Sequence, residues 1–136
     1  KNLITKKFLL KRTCSFLRTM ALNPPINQNG QPMRVEGEYF VLHRKDMEIE
    51  AKVDGFSKKK GKGTLYVTTA RLVFVNKNHA KDSFKSFDMP MLNIYDEKFE
   101  QPIFGANYLS IKVKPLHNLL PGDSKVKLWF MSGGCQ

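Results

Sequence analysis

Short runs in which apolar and polar residues alternate make up most of this chain from Met47 onward. Met47–Val53 alternates strictly, and this pattern predicts a strand with one buried face. The later runs are rich in β-branched and aromatic residues and are separated by clusters of Gly, Pro, Asn and Asp, which is typical of strands joined by turns. Such regular spacing predicts a mainly β domain, either a barrel or a sandwich of about seven antiparallel strands. The predicted strands are Met47–Val53, Thr64–Thr68, Arg71–Asn76, Ser83–Asp88, Leu92–Phe99, Asn107–Lys114 and Lys125–Met131.

The residues before the first predicted strand divide into three parts. Residues 1–19 form a basic leader. Residues 20–34 concentrate Pro, Gly, Asn and Gln, and we expect them to form a flexible linker. The folded domain is expected to cover residues 35–134, and its first segment, Gly37–Arg44, could form either a turn of helix or an edge strand.

The excess positive charge is concentrated in the leader. The chain of 136 residues has a net charge of +11, but its first 20 residues hold six basic side chains and no acidic one. The remainder carries 17 basic and 12 acidic side chains, or +5, which does not favour direct nucleic-acid binding. The leader has three competing interpretations: a mitochondrial transit peptide, a basic membrane helix, or translated upstream sequence without a role. Its few hydroxyl residues and scattered apolar residues favour the last.

Residues that could carry catalysis or hold a metal are scattered along the sequence. Cys14 and Cys135 stand near opposite ends, which argues against a disulfide framework and for a reducing compartment. His43, His79 and His117 have no Cys, Asp or Glu at ligand spacing, so no metal and no cofactor is expected. No grouping of nucleophile, acid and base emerges, and no apolar run approaches the ~18 residues of a membrane span. We therefore expect a soluble binding domain and not an enzyme.

Five blocks carry a resemblance to a known family. They are Lys62–Thr68, Arg71–Phe74, Ser86–Phe87, Met89–Pro90 and Gln101–Tyr108. In this order the blocks resemble the GRAM domain of the WW domain-binding protein 2 family, over roughly residues 35 to 134. The last block, Gln-Pro-Ile-Phe-Gly-Ala-Asn-Tyr, is the specific one, whereas the hairpin alone would fit any GRAM domain.

The resemblance implies a pleckstrin-homology-like fold, a partly open barrel of two curved antiparallel sheets closed at one end by a C-terminal helix. It also implies a non-enzymatic adaptor in the cytoplasm and nucleus that docks protein partners and acts in transcriptional coactivation. An alternative is a peripheral module that binds phosphoinositides, because GRAM domains generally are linked to membrane lipids. The sequence ends soon after Gly133–Gly134, where the family begins its helix, so we expect this cap to be truncated.

Binding to WW domains does not carry over to the residues present. The family's ligand motif is Pro-Pro-x-Tyr, whereas Pro24-Pro25-Ile26-Asn27 has Asn in the fourth position. WW-domain partners are therefore expected only if a C-terminal tail carries the motif.

A cluster of lysines is the candidate site for an anionic phospholipid. Pleckstrin-homology-like folds commonly hold a headgroup in the loop after the first strand, and flexible lysines and glycine amides can surround phosphate oxygens. The alternative is a solvated loop whose charge keeps the protein soluble. The headgroup candidates, which the resemblance implies, are Lys58, Lys59, Lys60 and Lys62, predicted in that loop, together with Arg71.

Phe104, Asn107 and Tyr108 are the candidate surface for a protein partner, beside Gly105. The alternative is that Phe104 plugs the barrel while Gly105 makes a tight turn with a positive φ, and it is favoured because buried aromatics are the commoner use of such residues. For the same reason Trp129 is expected in the core.

Overall fold

Seven antiparallel strands form one curled sheet in the computed structural model, which describes residues 22–115 and 121–132. The order across the sheet is β4-β3-β2-β1-β7-β6-β5, so β4 and β5 lie at its two edges. The prediction of a mainly β, partly open fold is confirmed. The strands are β1 (Phe40–Val53), β2 (Lys59–Thr68), β3 (Arg71–Asn76), β4 (Ser86–Pro90), β5 (Ile94–Glu100), β6 (Tyr108–Val113) and β7 (Ser124–Phe130), with a 3₁₀ helix at Met91–Asn93. The leader at 1–19, both cysteines, His117 and the residues of the predicted truncated cap lie outside the described ranges.

Strand β1 is the long central element, and it begins seven residues before the predicted start, at Phe40. Its first part pairs only with β2, whereas from Met47 onward it also pairs with β7. A bulge separates the two parts, because the register shifts between Arg44 and Met47 and Asp46 adopts a φ of 56°. Because the bulge interrupts the alternation of apolar and polar residues, the sequence pattern does not show that the strand is continuous. The helical alternative for Gly37–Arg44 is wrong.

Strand β2 begins at Lys59, inside the lysine-rich stretch that we predicted as a loop. That prediction is wrong, because the glutamates of β1 stand opposite the lysines: Glu50 pairs with Lys60 and Glu48 with Lys62. Glycine and lysine are poor strand formers on their own. Here the cross-strand partners outweigh that intrinsic preference.

The hydrophobic core lies on the inner face of the curled sheet. The inward positions of β1, β6 and β7 alternate with polar outward positions, as a strand buried on one face requires. Leu109 and Phe130 pack against the core while keeping part of their surface exposed. The core residues are Met47, Ile49, Ala51, Val53, Leu65, Phe74, Phe84, Phe87, Met89, Ile111, Val113, Val126 and Leu128.

The segment 22–34, which we predicted as a flexible linker, contacts edge strand β4. Leu22 forms a bridge with Phe87, and the Asn23 N–H donates to the Ser86 carbonyl at 2.9 Å. The Ser86 hydroxyl donates to the Pro24 carbonyl at 2.9 Å. The packed unit therefore begins at or before Leu22, and the predicted boundary at residue 35 falls inside it. Composition could not reveal this, because the segment uses backbone and amide hydrogen bonds in place of an apolar pattern.

The other edge, β5, is irregular. Its register against β6 shifts between Tyr95 and Lys98, and Asp96 adopts a φ of 52°. A bulge of this kind bends the strand and leaves one residue out of the ladder.

Replacing Asn23 with Ala should test the docking of the N-terminal segment. The Asn23 side chain accepts from Lys85 N at 2.8 Å and donates to the Ser83 carbonyl at 2.9 Å, and its φ is 54°. Loss of these bonds, and the left-handed backbone that Ala tolerates poorly, should lower the free energy of unfolding by about 1 kcal/mol. Urea denaturation measures the change. Asn29→Ala is the control, since the described contacts of Asn29 use its backbone N–H; equal losses in both variants would contradict the docked arrangement.

Candidate functional site

Three of the four candidate lysines are paired with glutamates of β1. The Lys58 Nζ lies 2.9 Å and the Lys60 Nζ 3.6 Å from the carboxylate of Glu50, and the Lys62 Nζ lies 3.2 Å from Glu48 Oε1. The hydrogen bond from Lys58 and the charges of both lysines hold the Glu50 pKa below its ordinary value, against a smaller opposing effect of burial. Part of the positive charge of this stretch is therefore neutralised within the sheet.

The strand geometry also separates the lysines. Because successive residues of a strand point to opposite faces, Lys59 lies on the face opposite Lys60 and Lys62. The Lys59 Nζ donates to the Ser57 hydroxyl at 3.4 Å. The four residues thus do not converge on one cradle, although Lys58 and Lys59 follow closely in sequence after Phe56, whose side chain is 48% exposed.

Arg71 lies in the interior and not with the lysines, so the assignment of this residue to a lipid site is corrected. Only 3% of its surface is exposed. Its Nε donates to Glu38 Oε1 at 2.7 Å, its Nη1 donates to Asp88 Oδ2 at 2.7 Å, and its Nη2 donates to the Met33 carbonyl at 2.7 Å. Every nitrogen of the guanidinium is occupied by the protein.

Thr68 completes this buried cluster from the end of β2. Its hydroxyl donates to Glu38 Oε1 at 2.6 Å and accepts from the Arg71 N–H at 3.0 Å. Burial works against the Glu38 carboxylate, but hydrogen bonds from Arg71, Thr68 and the Val35 N–H outweigh it and hold the Glu38 pKa below its ordinary value.

Asp88 behaves in the opposite way. Burial raises the pKa of Asp88 from 3.8 to about 6, despite the charge and hydrogen bond of Arg71. One guanidinium faces two carboxylates, and Glu38 receives the greater number of donors. Among the described residues, Asp88 Oδ1 is buried without a hydrogen-bond partner. The proton is therefore favoured on Asp88.

The loop between β5 and β6 presents two apolar side chains to solvent. Ile103 is 94% exposed and Phe104 is 91% exposed. The alternative that Phe104 plugs the barrel is therefore wrong. The positive φ expected at Gly105 is confirmed at +104°, and a Cβ placed there would meet no atom within 4 Å. The loop is held at its end by the Asn107 carbonyl, which accepts from the Phe130 N–H at 2.9 Å.

Tyr108 and Trp129 lie side by side on the outer face of the sheet. They are cross-strand partners with ring centroids 5.6 Å apart. Trp129 is half-buried and not in the core as predicted, because Leu128 and Phe130 take the inward positions of β7. The Lys127 Nζ lies 5.6 Å from the centre of the Tyr108 ring. Phe104 thus lies exposed on the loop and Tyr108 lies on the outer face of the sheet, whereas Asn107 contributes its backbone to the anchor.

Sequence reasoning missed two features of the surface. The first is Ile103, which is as exposed as Phe104. The Gln-Pro-Ile-Phe block could have indicated this exposed residue. The second is a set of lysines gathered on the outer face of four strands, which depends on a register that no local pattern reports. They are Lys52, Lys98, Lys112, Lys125 and Lys127.

Two kinds of site are absent from residues 22–115 and 121–132. No group of three or more His, Cys, Asp or Glu side chains is placed to hold a metal ion there. The described residues also include no helix with the length and hydrophobicity that a bilayer crossing needs.

Comparison with curated proteins gives related sequences over 74 residues. The identity is 46% to a UPF0664 stress-induced protein of Schizosaccharomyces pombe, over 54% of this chain and 42% of that protein. It is 40% to human WW domain-binding protein 2, over 54% of this chain and 28% of that protein. The chain is a homologue of WW domain-binding protein 2. The resemblance to this family in the sequence is therefore confirmed, although no family model matches the chain.

The homology extends more weakly across most of the chain. The human postacrosomal sheath WW domain-binding protein is 26% identical over 121 residues, which is 84% of this chain and 39% of that protein. The chain thus spans less than half the length of these WW domain-binding relatives. None of the relatives named here carries the name of an enzyme.

The solved structures support the fold. The Vps36 N-terminal PH domain superposes with a TM-score of 0.59 at 17% identity, over 79% of this chain and 78% of that chain. This homologue of WW domain-binding protein 2 therefore has the predicted pleckstrin-homology-like fold.

Replacing Asp88 with Asn should change how stability depends on pH. The folded state holds its proton on Asp88 up to about pH 6, whereas in the unfolded chain the group ionises near 3.8. The stabilisation from this carboxyl is therefore full below about pH 4 and is lost as the pH rises to about 6. An Asn side chain at position 88 still offers an oxygen to Arg71 but does not titrate. The unfolding free energy of the wild type minus that of Asp88→Asn should fall over this window by on the order of 1–3 kcal/mol.

Urea denaturation at a series of pH values measures this difference. Glu36→Gln, at an exposed carboxylate, is the control and should follow the wild-type profile. A difference between wild type and Asp88→Asn that stays flat from pH 4 to pH 6 would contradict the assignment of the proton to Asp88.

Proposed function

We propose that this domain is a non-enzymatic adaptor that docks a protein partner through the loop at 101–107. The observation that carries the proposal is the exposure of Ile103 and Phe104, both above 90%, on a loop anchored at its ends by the sheet. Adjacent exposed apolar side chains on an anchored loop are an arrangement that protein interfaces use for their central contacts. The ordering cost of binding is small when the loop is already held in place.

The chemistry of the described residues supports binding over catalysis. Asp88 has a markedly raised pKa, but it lies beneath the N-terminal segment with no exposed surface. A catalytic acid needs access to a substrate, so we assign Asp88 to stability.

The names of the relatives support a protein as the partner, since WW domain-binding protein 2 is named for such binding. For this chain the WW motif itself is not the proposed contact. Pro24 is buried against Ser86, and the fourth position of its motif is Asn27. Residence in the cytoplasm and nucleus, and a role as a transcription coactivator, are further parts of the proposal that rest on the family resemblance.

Changing Ile103 and Phe104 together to Ser should abolish partner binding without harming the fold. Both side chains are exposed, so the free energy of unfolding should change by less than about 0.5 kcal/mol. The measurement is quantitative mass spectrometry of proteins retained by the immobilised domain. Proteins held by the wild type should be lost from the double variant.

Leu92→Ser is the matched control, because Leu92 is fully exposed but lies in the 3₁₀ helix before β5. It should retain the same proteins as the wild type. A double variant that retains every protein would refute the adaptor proposal.

A second candidate function is binding to an anionic membrane. The half-exposed Phe56, two residues before Lys58 in sequence, supports it, since an apolar side chain close to lysines in the chain suits a lipid surface. The ion pairs of Lys58, Lys60 and Lys62 with β1 glutamates weaken it.

The membrane candidate predicts that changing Lys58, Lys59, Lys60 and Lys62 together to Glu lowers sedimentation with phosphoinositide vesicles by about tenfold or more, at about 1 kcal/mol for each lysine. Lys77, Lys81 and Lys85, all exposed, can be changed to Glu as a control. Unaltered sedimentation of the four-lysine variant would eliminate this candidate.

A further inference from the structure

Five lysines gather on the outer face of the sheet, on strands and not on the loop that carries the proposed function. They come from four adjacent strands, β1, β7, β6 and β5, and line one groove of about 360 Å³, together with Lys58 from the loop before β2. Their outward direction follows from their neighbours, since Val53, Val126 and Ile111 take the inward positions beside them. The lysines are Lys52, Lys98, Lys112, Lys125 and Lys127.

The pairing register places these lysines in rows. Lys125 is the direct partner of Lys52 on one side and of Lys112 on the other, so three ammonium groups follow one another across the sheet. In the next row, Ser110 stands between Lys127 and Lys98. Neighbouring strands are about 4.8 Å apart, so the first row is a short ladder of like charges. In the second row, Glu50 of β1 stands directly opposite Lys127.

Such a ladder opposes folding. Like charges directly opposite each other on a sheet are destabilising, whereas an opposite-charge pair would stabilise. Among the described residues, no ion pair involves Lys52, Lys98 or Lys125, while Lys112 pairs with Asp96 at 3.0 Å. Glu50 also lines the groove, but Lys58 and Lys60 occupy its carboxylate. The groove therefore has a surplus of positive charge that stability alone does not explain.

We propose that this groove binds an acidic segment of a partner polypeptide in an extended conformation. Charge complementarity selects an anionic chain. The width of four strands, ~15 Å, matches about four or five extended residues. A groove suits a chain better than it suits a planar membrane.

The residue types at the groove favour carboxylates over nucleic acid. All its cations are lysines, whose ammonium groups can pair with carboxylate and phosphate alike, so the discrimination rests on the aromatic residues. A single-stranded nucleic acid also needs open aromatic rings for stacking. The neighbouring Tyr108 ring has Lys127 over it and Trp129 beside it.

The test is fluorescence anisotropy of a labelled oligoglutamate peptide. Changing Lys52, Lys98 and Lys125 together to Gln should raise the Kd by about tenfold or more, because it removes three of the four groove lysines that make no ion pair among the described residues. Changing Lys77, Lys81 and Lys85 to Gln removes the same net charge outside the groove. This control should stay within about twofold of the wild type. Equal weakening in both variants would overturn the proposal, since net charge alone would then explain binding.

A stability measurement separates loss of the site from loss of the fold. Relief of the like-charge row should leave the urea midpoint of the groove variant unchanged or higher. The single variant Lys125→Gln, at the centre of the row, repeats the binding test with a smaller change. If neither variant weakens binding of oligoglutamate at an unchanged midpoint, the proposal is wrong.

Two further probes distinguish the class of ligand. An oligothymidylate of equal charge and vesicles containing phosphatidylserine should each bind more weakly than oligoglutamate at the same ionic strength. Tighter binding of either probe, lost on changing the groove lysines, would overturn the assignment to an acidic polypeptide. The result does not depend on Ile103 or Phe104, so the adaptor proposal and this inference can fail separately.

Discussion

The guanidinium of Arg71 is the contact on which the arrangement of this domain depends. It joins three parts of the chain that are distant in sequence: the segment before β1 through Met33 and Glu38, the start of β3, and edge strand β4 through Asp88. A buried cation is tolerable only when its partners are in place, and removal of one partner from such a cluster typically costs about 3–5 kcal/mol. The cluster therefore specifies where the N-terminal segment lies, more than it adds net stability.

This arrangement divides the surface between structure and recognition. The N-terminal segment covers the outer face of β3 and β4, where Arg71 and Asp88 are buried. The outer faces of β1, β7, β6 and β5 carry the lysine rows. The loop at 101–107 extends from the same half of the sheet. Candidate binding features thus collect on one half, while the other half is occupied by the chain itself.

Sequence patterns predicted the elements that depend on local alternation. The predicted strand Met47–Val53 lies within the observed β1, and the predicted strand Arg71–Asn76 is the observed β3. Both were predictable because burial of one face makes apolar residues recur at every second position. The start of β1 was missed because the bulge at Asp46 breaks that period. The start of β2 was missed because cross-strand glutamates, and not the lysines and glycines themselves, stabilise it.

The candidate site was harder to predict than the fold. Exposure of Phe104 depends on how a loop leaves the sheet, and no local signal separates an outward aromatic from an inward one. Arg71 looked like a surface cation because its partners, Glu38 and Asp88, are 33 and 17 residues away in sequence. The lysine rows can be recognised only when the pairing register of four strands is known. Each miss concerns a contact between distant parts of the chain.

The irregularity of β5 has a consequence for self-association. A straight edge strand has unpaired amides and carbonyls that can hydrogen-bond to a strand of another molecule, and this is a common route to aggregation. The left-handed turn at Asp96, with charged neighbours in Glu97 and Lys98, bends the backbone away from the line that an incoming strand would need. At the opposite border, Leu22 and Asn23 already take up part of the exposed ladder. Both borders of the described sheet are thus less suited to pairing with a further strand than a straight, fully open edge would be.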